Sequence, residues 1–218
     1  MLSRNNPLFN FVSPFLKLDI SDFANLLVLL SKRIHYASPG LYEVLDHDIT
    51  LDLKDTKGNS AIYHKRQKVR FLQDSIVAYL DKAWGDGDIF ADYLCSPGTA
   101  VDCFREGHRY NILISLRQTK NRGEVEEFHI ERRIDGGFTH PTEEFQTEID
   151  HRTQAMSMTV TLPRSRPLRK VYLIQQNTGQ SIPLGVGYIT TLPDGRQQIR
   201  WATKRVRLYE AYILRWTW

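Results

Sequence analysis

The sequence predicts a mainly β protein: an antiparallel β-sandwich of immunoglobulin-like, jelly-roll or C2-like topology, preceded by an N-terminal arm and one amphipathic helix. Three observations predict it. About ten short segments alternate apolar and polar residues with period two, turn formers separate them, and a helical period holds over one stretch only. Residues 1–40 read as arm and helix, residues 41–218 as the sandwich domain.

A chain of 218 residues buries a core without metals or disulfides, because roughly 70% of the unfolded surface leaves water at this size. No cofactor is implied. Cys95 and Cys103 are the only cysteines, fewer than an extracellular domain of this size usually carries, which predicts reduced thiols and a cytoplasmic protein. Met1 to Phe15 lacks the ordered features of a secretory signal, and the apolar run Phe23 to Leu30 is far shorter than the ~20 residues that cross a bilayer. No transmembrane segment is expected.

Asn5 to Leu18 is broken by Pro7 and Pro14 and reads as an extended arm whose Phe9, Phe11 and Phe15 need burial. Ser21 caps the helix, expected over residues 21–36, and Phe23, Leu26, Leu27, Leu30 and Ile34 line one face of it. That stripe packs on the sheet or joins two copies of the chain.

From Leu41 the period becomes two. Ile49, Leu51 and Leu53 point inward between Asp48, Thr50 and Asp52, Gly58 suits a bulged turn, and Ala61 to Phe71 returns with His64, Arg66, Lys68 and Arg70 on one face. The register that keeps the apolar residues inside sets Asp48 opposite Arg66 and Asp46 opposite Lys68, which turns a basic ladder into cross-strand ion pairs. Asp86-Gly87, inside the dense turn signal Trp84 to Tyr93, predicts a tight hairpin joining the strand Ser75 to Ala83 to the strand Ile89 to Leu94.

Arg109 to Arg117 is the most apolar segment and is expected to be central in its sheet. Glu124 to Ile134 carries Phe128 and Ile130 inward and Glu127, His129 and Glu131 outward; Glu144 to Asp150 repeats the pattern with Phe145, Thr147 and Ile149 inward. Met156 to Leu162 and Val171 to Gln176 are further strands, Pro193-Asp-Gly195 marks a hairpin, and the closing strand runs from Leu208 to Trp218 with its aromatics anchored in the core.

Charge is divided unevenly. Residues 1–163 hold 19 Lys plus Arg and 23 Asp plus Glu, whereas residues 164–218 hold 10 and 2. A basic last quarter on an acidic body points to an acidic partner. The expected function is therefore a non-enzymatic recognition or assembly module whose binding residues are Arg164, Arg166, Arg169, Lys170, Arg200, Lys204, Arg205 and Arg207. Its partner is an acidic protein surface or another copy of the chain, with nucleic acid and anionic surfaces as further candidates and a homo-oligomer formed through residues 21–36. The bland reading pairs the basic strands with acidic ones inside the monomer. The rival class is a metal-dependent hydrolase or calcium-dependent binder. Asp86, Asp88 and Asp92 offer oxygen ligands to Ca²⁺ without an EF-hand pattern, and His129, Glu131 and His151 offer a zinc set if their strands are neighbours. Cys95 with His108 lacks the context of an activated nucleophile.

Overall fold

The computed structural model describes residues 40–218, so the expected arm and the helix over residues 21–36 lie outside the described residues. The described chain is mainly β. In order its strands are β1 Tyr42–Leu53, β2 Ser60–Phe71, β3 Ile76–Ala83, β4 Asp88–Ser96, β5 Thr99–Glu106, β6 Arg109–Lys120 and β7 Val125–Asp135. They continue as β8 Thr142–Glu148, β9 Met156–Leu162, β10 Lys170–Gln175, β11 Gln180–Pro183, β12 Ile189–Thr191, β13 Gln197–Thr203 and β14 Ala211–Thr217.

Three sheets result. The largest runs β12-β13-β9-β1-β2-β7-β4, a four-stranded sheet runs β11-β10-β14-β8, and β6 is the centre of a three-stranded sheet between β3 and β5, as its apolar sequence predicts. The sheets do not close into a barrel. No helix among the described residues is long and apolar enough to cross a membrane.

Period two dictates which face of the large sheet is covered. Ile49, Leu51 and Leu53 are at most 1% exposed, each burial being worth about 1.5–3 kcal/mol. The β1–β2 register is the expected one, with Asp48 opposite Arg66 and Asp46 opposite Lys68, up to a bulge between Val44 and Asp46. Arg66 bridges to Asp46 at 2.5 Å and to Glu127 of β7 at 3.3 Å, so Asp46 pairs diagonally with Arg66 and not with Lys68 opposite it, which has no ion pair among the described residues.

The two smaller sheets pack side by side on the inner face. Tyr79 of β3 stacks on Phe128 of β7 at 4.0 Å, while Phe145 of β8 meets Tyr63 edge-on at 5.9 Å and Tyr212 of β14 meets Trp201 of β13 at 5.3 Å. Tyr212, Trp216 and Trp218 are buried as expected, but Tyr209 is exposed.

Two expectations are corrected and one condition is not met. The Asp86-Gly87 turn does not close a hairpin: β3 pairs with β6 and β4 with β7, so Trp84 to Gly87 carries the chain from one sheet to another. Gly87 (φ +74°) lies against the backbone of Asp135 to Gly137, and that close approach is what the glycine serves. The sheets are not wholly antiparallel, because β1 and β9 run parallel. The chain leaves the large sheet through β8 before β9 returns, and a long crossover of that kind permits a parallel neighbour. The condition on which the zinc set depended, that the strands of His129 and Glu148 be neighbours, is not met, since β8 pairs with β14.

The β1–β2 turn is held by Asp55, whose carboxylate accepts the N–H groups of Lys57, Asn59 and Ser60. Its Gly58 (φ +75°) sits so close to Phe138 that a Cβ would lie 1.5 Å from the Phe138 carbonyl oxygen. Gly107 has φ +61° with nothing within 4 Å. Gly107→Ala is expected to cost about 1–2 kcal/mol of backbone strain alone, and Gly58→Ala distinctly more, because the turn must also move away from Phe138. Urea unfolding of the two variants checks the order.

Candidate functional site

Two surfaces hold candidate chemistry, one basic and exposed, the other a cleft between the small sheets. On the basic surface, Arg164, Arg169, Lys170, Arg200, Lys204, Arg205 and Arg207 are all exposed. Among the described residues the ion pairs of the last quarter are Arg196 with Asp52 and Asp194, and Arg215 with Glu144, so none of those seven cations has a carboxylate partner.

Arg166 differs from the other seven. Its guanidinium donates to the carbonyls of Thr56 (3.2 Å) and His140 (3.0 Å) and lies 3.6 Å from the centre of the Trp218 ring. That is an anchor for the segment 163–167, and burial pulls its pKa down.

The basic residues divide in space. Arg164 lies against Gly195 of the β12–β13 turn, and the Leu168 N–H donates to Gln197 at the start of β13. Lys204, Arg205 and Arg207 follow the other end of β13, about 20 Å away at 3.3 Å per residue. Arg200 stands between them on the outer face, in the row of Thr159 and Thr50.

The acidic sets are not assembled. Asp88 accepts the Phe90 N–H and so serves its own turn, and Asp86 and Asp92 are exposed at separate points. His129 and Glu131 lie on the outer face, bridged to Glu127 (3.1 Å) and His64 (3.3 Å) respectively. His151 is buried on the inner side, hydrogen-bonded to Asp150 at 2.7 Å and stacked on Tyr42 at 4.1 Å. No group of three or more metal-ligating side chains occurs among the described residues. Cys95 and Cys103 are free, and burial pushes both thiols up, that of Cys103 to about 11, which keeps them protonated and unreactive.

The cleft, of about 990 Å³, lies between β3 and β8 with the inner face of β1, β2 and β7 beneath it. Polar residues in it and beneath it stand at positions the alternation reserves for apolar ones: His47 in line with Ile49, Lys65 with Tyr63 and Val69, Arg132 with Ile130 and Ile134, and, buried behind the lining, Asp81 with Tyr79 and Ala83. Lys65 Nζ lies 2.7 Å from Asp81 Oδ1, their side chains 10% and 0% exposed, and the Tyr93 hydroxyl donates to Asp81 Oδ2 at 3.2 Å. Tyr79 donates to Gln67 across the same junction. Burial opposes the Lys65 charge, but the Asp81 carboxylate outweighs it and holds the ammonium protonated. Burial also pushes the Tyr79 phenol up to about 12.

Beside them, His47 Nε2 meets Thr147 of β8 at 3.0 Å, and burial, helped by Lys65, lowers its pKa to about 3, so the ring is neutral. At the cleft end, Lys82 reaches Asp150 (2.5 Å) and Arg109 reaches Glu148 (2.6 Å), tying β3 and β6 to β8 and the loop after it. Burial raises the Asp150 pKa, but His151 and Lys82 prevail and keep it ionised.

Replacing one member of the Lys65–Asp81 pair strands the other charge. Lys65→Met is expected to destabilise by about 3–5 kcal/mol, and Lys65→Met with Asp81→Leu to recover most of that stability; equilibrium unfolding in urea reads both. His47 gives a pH dependence. The unfolded ring takes its proton near its ordinary 6.5 and the folded ring only near 3, so this contribution is complete above 6.5 and is lost as pH falls, by about 1.4 kcal/mol per pH unit. His47→Gln should flatten the stability profile between pH 6 and 4.5.

No family model and no curated protein matches the chain. Among solved structures it is similar to a "putative protease" from Parabacteroides distasonis ATCC 8503, at 9% identity and a TM-score of 0.48, over 82% of this chain and 40% of that one. It is similar also to the M1 zinc metallopeptidase from Deinococcus radiodurans, at 9% identity and a TM-score of 0.47, over 79% of this chain and 42% of that one. The chain thus spans about two fifths of the length of either protein, and at this level of likeness neither lends it an activity.

Proposed function

We propose that the chain is a non-enzymatic recognition or assembly module that binds an acidic partner through the basic residues of its last quarter. One observation carries the reading: seven exposed cations there have no carboxylate partner among the described residues. The bland alternative, in which the acidic body neutralises them internally, meets the opposite pattern. Asp46, Asp48 and Glu127 converge on Arg66, and Asp52 is shared by Lys54 and Arg196.

The partner on this reading is an extended acidic surface, because the two basic clusters lie about 20 Å apart along β13 and a compact anion meets only one of them. An acidic protein face, another copy of the chain and a nucleic-acid backbone all have that reach. The frame is read as a variant of the β-sandwich, with two small sheets stacked on a large one, and the free thiols fit a cytoplasmic location.

Titration with a short DNA duplex and with poly-glutamate separates the partners. For a phosphate backbone, affinity falls steeply with salt, and replacing Arg164, Arg169 and Lys170 by Ser lowers the log–log slope by about 0.9 for each phosphate no longer neutralised. Binding of poly-glutamate alone identifies an acidic protein, and a concentration-dependent size in light scattering identifies self-assembly. A variant that also carries Lys204→Ser, Arg205→Ser and Arg207→Ser and still binds and assembles as the parent does overturns the proposal. Arg166 is left in place, since its removal would loosen the packing on Trp218.

A further inference from the structure

We infer that the cleft between β3 and β8 is a binding site for a carboxylic acid with an apolar tail, and that Arg132 receives the carboxylate. Arg132 is 5% exposed on the inner face of β7 and lines the cleft. Its guanidinium lies 4.1 Å from the centre of the Tyr63 ring, and its Nε and Nη1 have no hydrogen-bond partner. An arginine never sheds its proton at ordinary pH, and a buried guanidinium that no carboxylate pairs is costly, so it marks a place where an anion is received.

The surrounding charges single Arg132 out. Lys65 and Asp81 satisfy each other. Four carboxylates that line the cleft are engaged elsewhere: Glu144 with Arg215, Glu148 with Arg109, Asp150 with Lys82 and His151, and Glu143 with the His140 N–H at 2.5 Å. Lys65 is paired with the fully buried Asp81 behind it, and the fifth lining carboxylate, Asp86, is exposed, which leaves Arg132 as the buried lining cation that no carboxylate pairs. Leu51, Ile89, Ile134, Phe138 and Phe145 supply the apolar lining, and the volume lies within the range, about 300–1,000 Å³, of small-molecule pockets. A carboxylate completes the guanidinium with charge-assisted hydrogen bonds while the tail covers the apolar wall. This site is separate from the basic surface, whose residues do not line the cleft.

Calorimetric titration of the full chain with octanoate and with 1-octanol tests the assignment. The expected result is at least tenfold tighter binding of octanoate, a preference that disappears in Arg132→Met while octanol affinity holds. The melting temperature of Arg132→Met without ligand should equal or exceed that of the parent, because a methionine of similar volume removes an unpaired charge. Equal affinity of the parent for both ligands, no binding of octanoate, or a preference that survives in Arg132→Met overturns the inference. If Arg132→Met does not fold, Phe145→Trp narrows the cleft beside Tyr63 without touching the guanidinium. Weakened binding of both ligands then supports the site, and unchanged affinity overturns it.

Discussion

Strand β2 serves two sheets with one face, and the arrangement of the molecule follows from that. Its inward side chains alternate with period two, but successive ones meet different partners. Tyr63 meets Phe145 of β8; two residues on, Lys65 meets Asp81 of β3, and Gln67 meets Tyr79 of the same strand. The four-stranded and three-stranded sheets therefore abut above β2 without pairing, and each presents an edge strand to the gap. The cleft is the space left between those edges.

An unpaired edge invites association with another strand, and charged side chains along it are one way to discourage that. Here β8 carries Glu144 and Glu148 on its outward side, and both are held in ion pairs with Arg215 and Arg109. The Lys82–Asp150 pair spans from β3 to the chain just beyond β8. Exposed pairs of this sort contribute at most about 1 kcal/mol each. The consequence of Arg109–Glu148 and Lys82–Asp150 is geometric: they set the distance between two sheets that share no backbone hydrogen bonds, whereas Arg215–Glu144 lies within one sheet. The buried Lys65–Asp81 pair fixes the same junction from beneath, where removing one partner is far more costly than at the rim.

What was legible in the sequence is what depends on local chemistry. Alternation alone yields the inward sets of β1, β7 and β8, and the parity of those sets yields the β1–β2 register, including Asp48 opposite Arg66. Which strands become neighbours depends on long-range contacts that period two does not encode. Asp86-Gly87 has hairpin chemistry, yet Gly87 answers to the backbone of Asp135 to Gly137, and the inward Tyr79 and Asp81 commit β3 to a different sheet from β4. The zinc set failed for the same reason, since it required β7 and β8 to be neighbours and His151 to face outward. The cleft residues did carry a signal: Lys65 beside Tyr63, and Arg132 between Ile130 and Ile134, occupy inward parity, where a charge is costly enough to need a reason. Lys65 sits among His64, Arg66, Lys68 and Arg70, so in sequence the inward cation is continuous with the outward ladder.

The basic surface and the cleft are separate sites but share a wall. The His140 carbonyl, at the cleft's edge, accepts from both Arg166 (3.0 Å) and the Trp218 indole (2.8 Å), and Arg166 itself covers the Trp218 ring. Trp218 packs edge-on against Trp216, which stacks with Phe138 of the cleft lining at 6.2 Å. Arg166 thus belongs to the basic sequence segment by position and to the cleft's support by contact. Its removal would disturb Trp218 and His140 together, so any weakening of binding would be ambiguous between a missing cation and a shifted wall. The residues that separate the two sites are those with one environment only: Arg164, Arg169 and Lys170, which touch nothing in the cleft, and Arg132, which touches nothing on the basic surface.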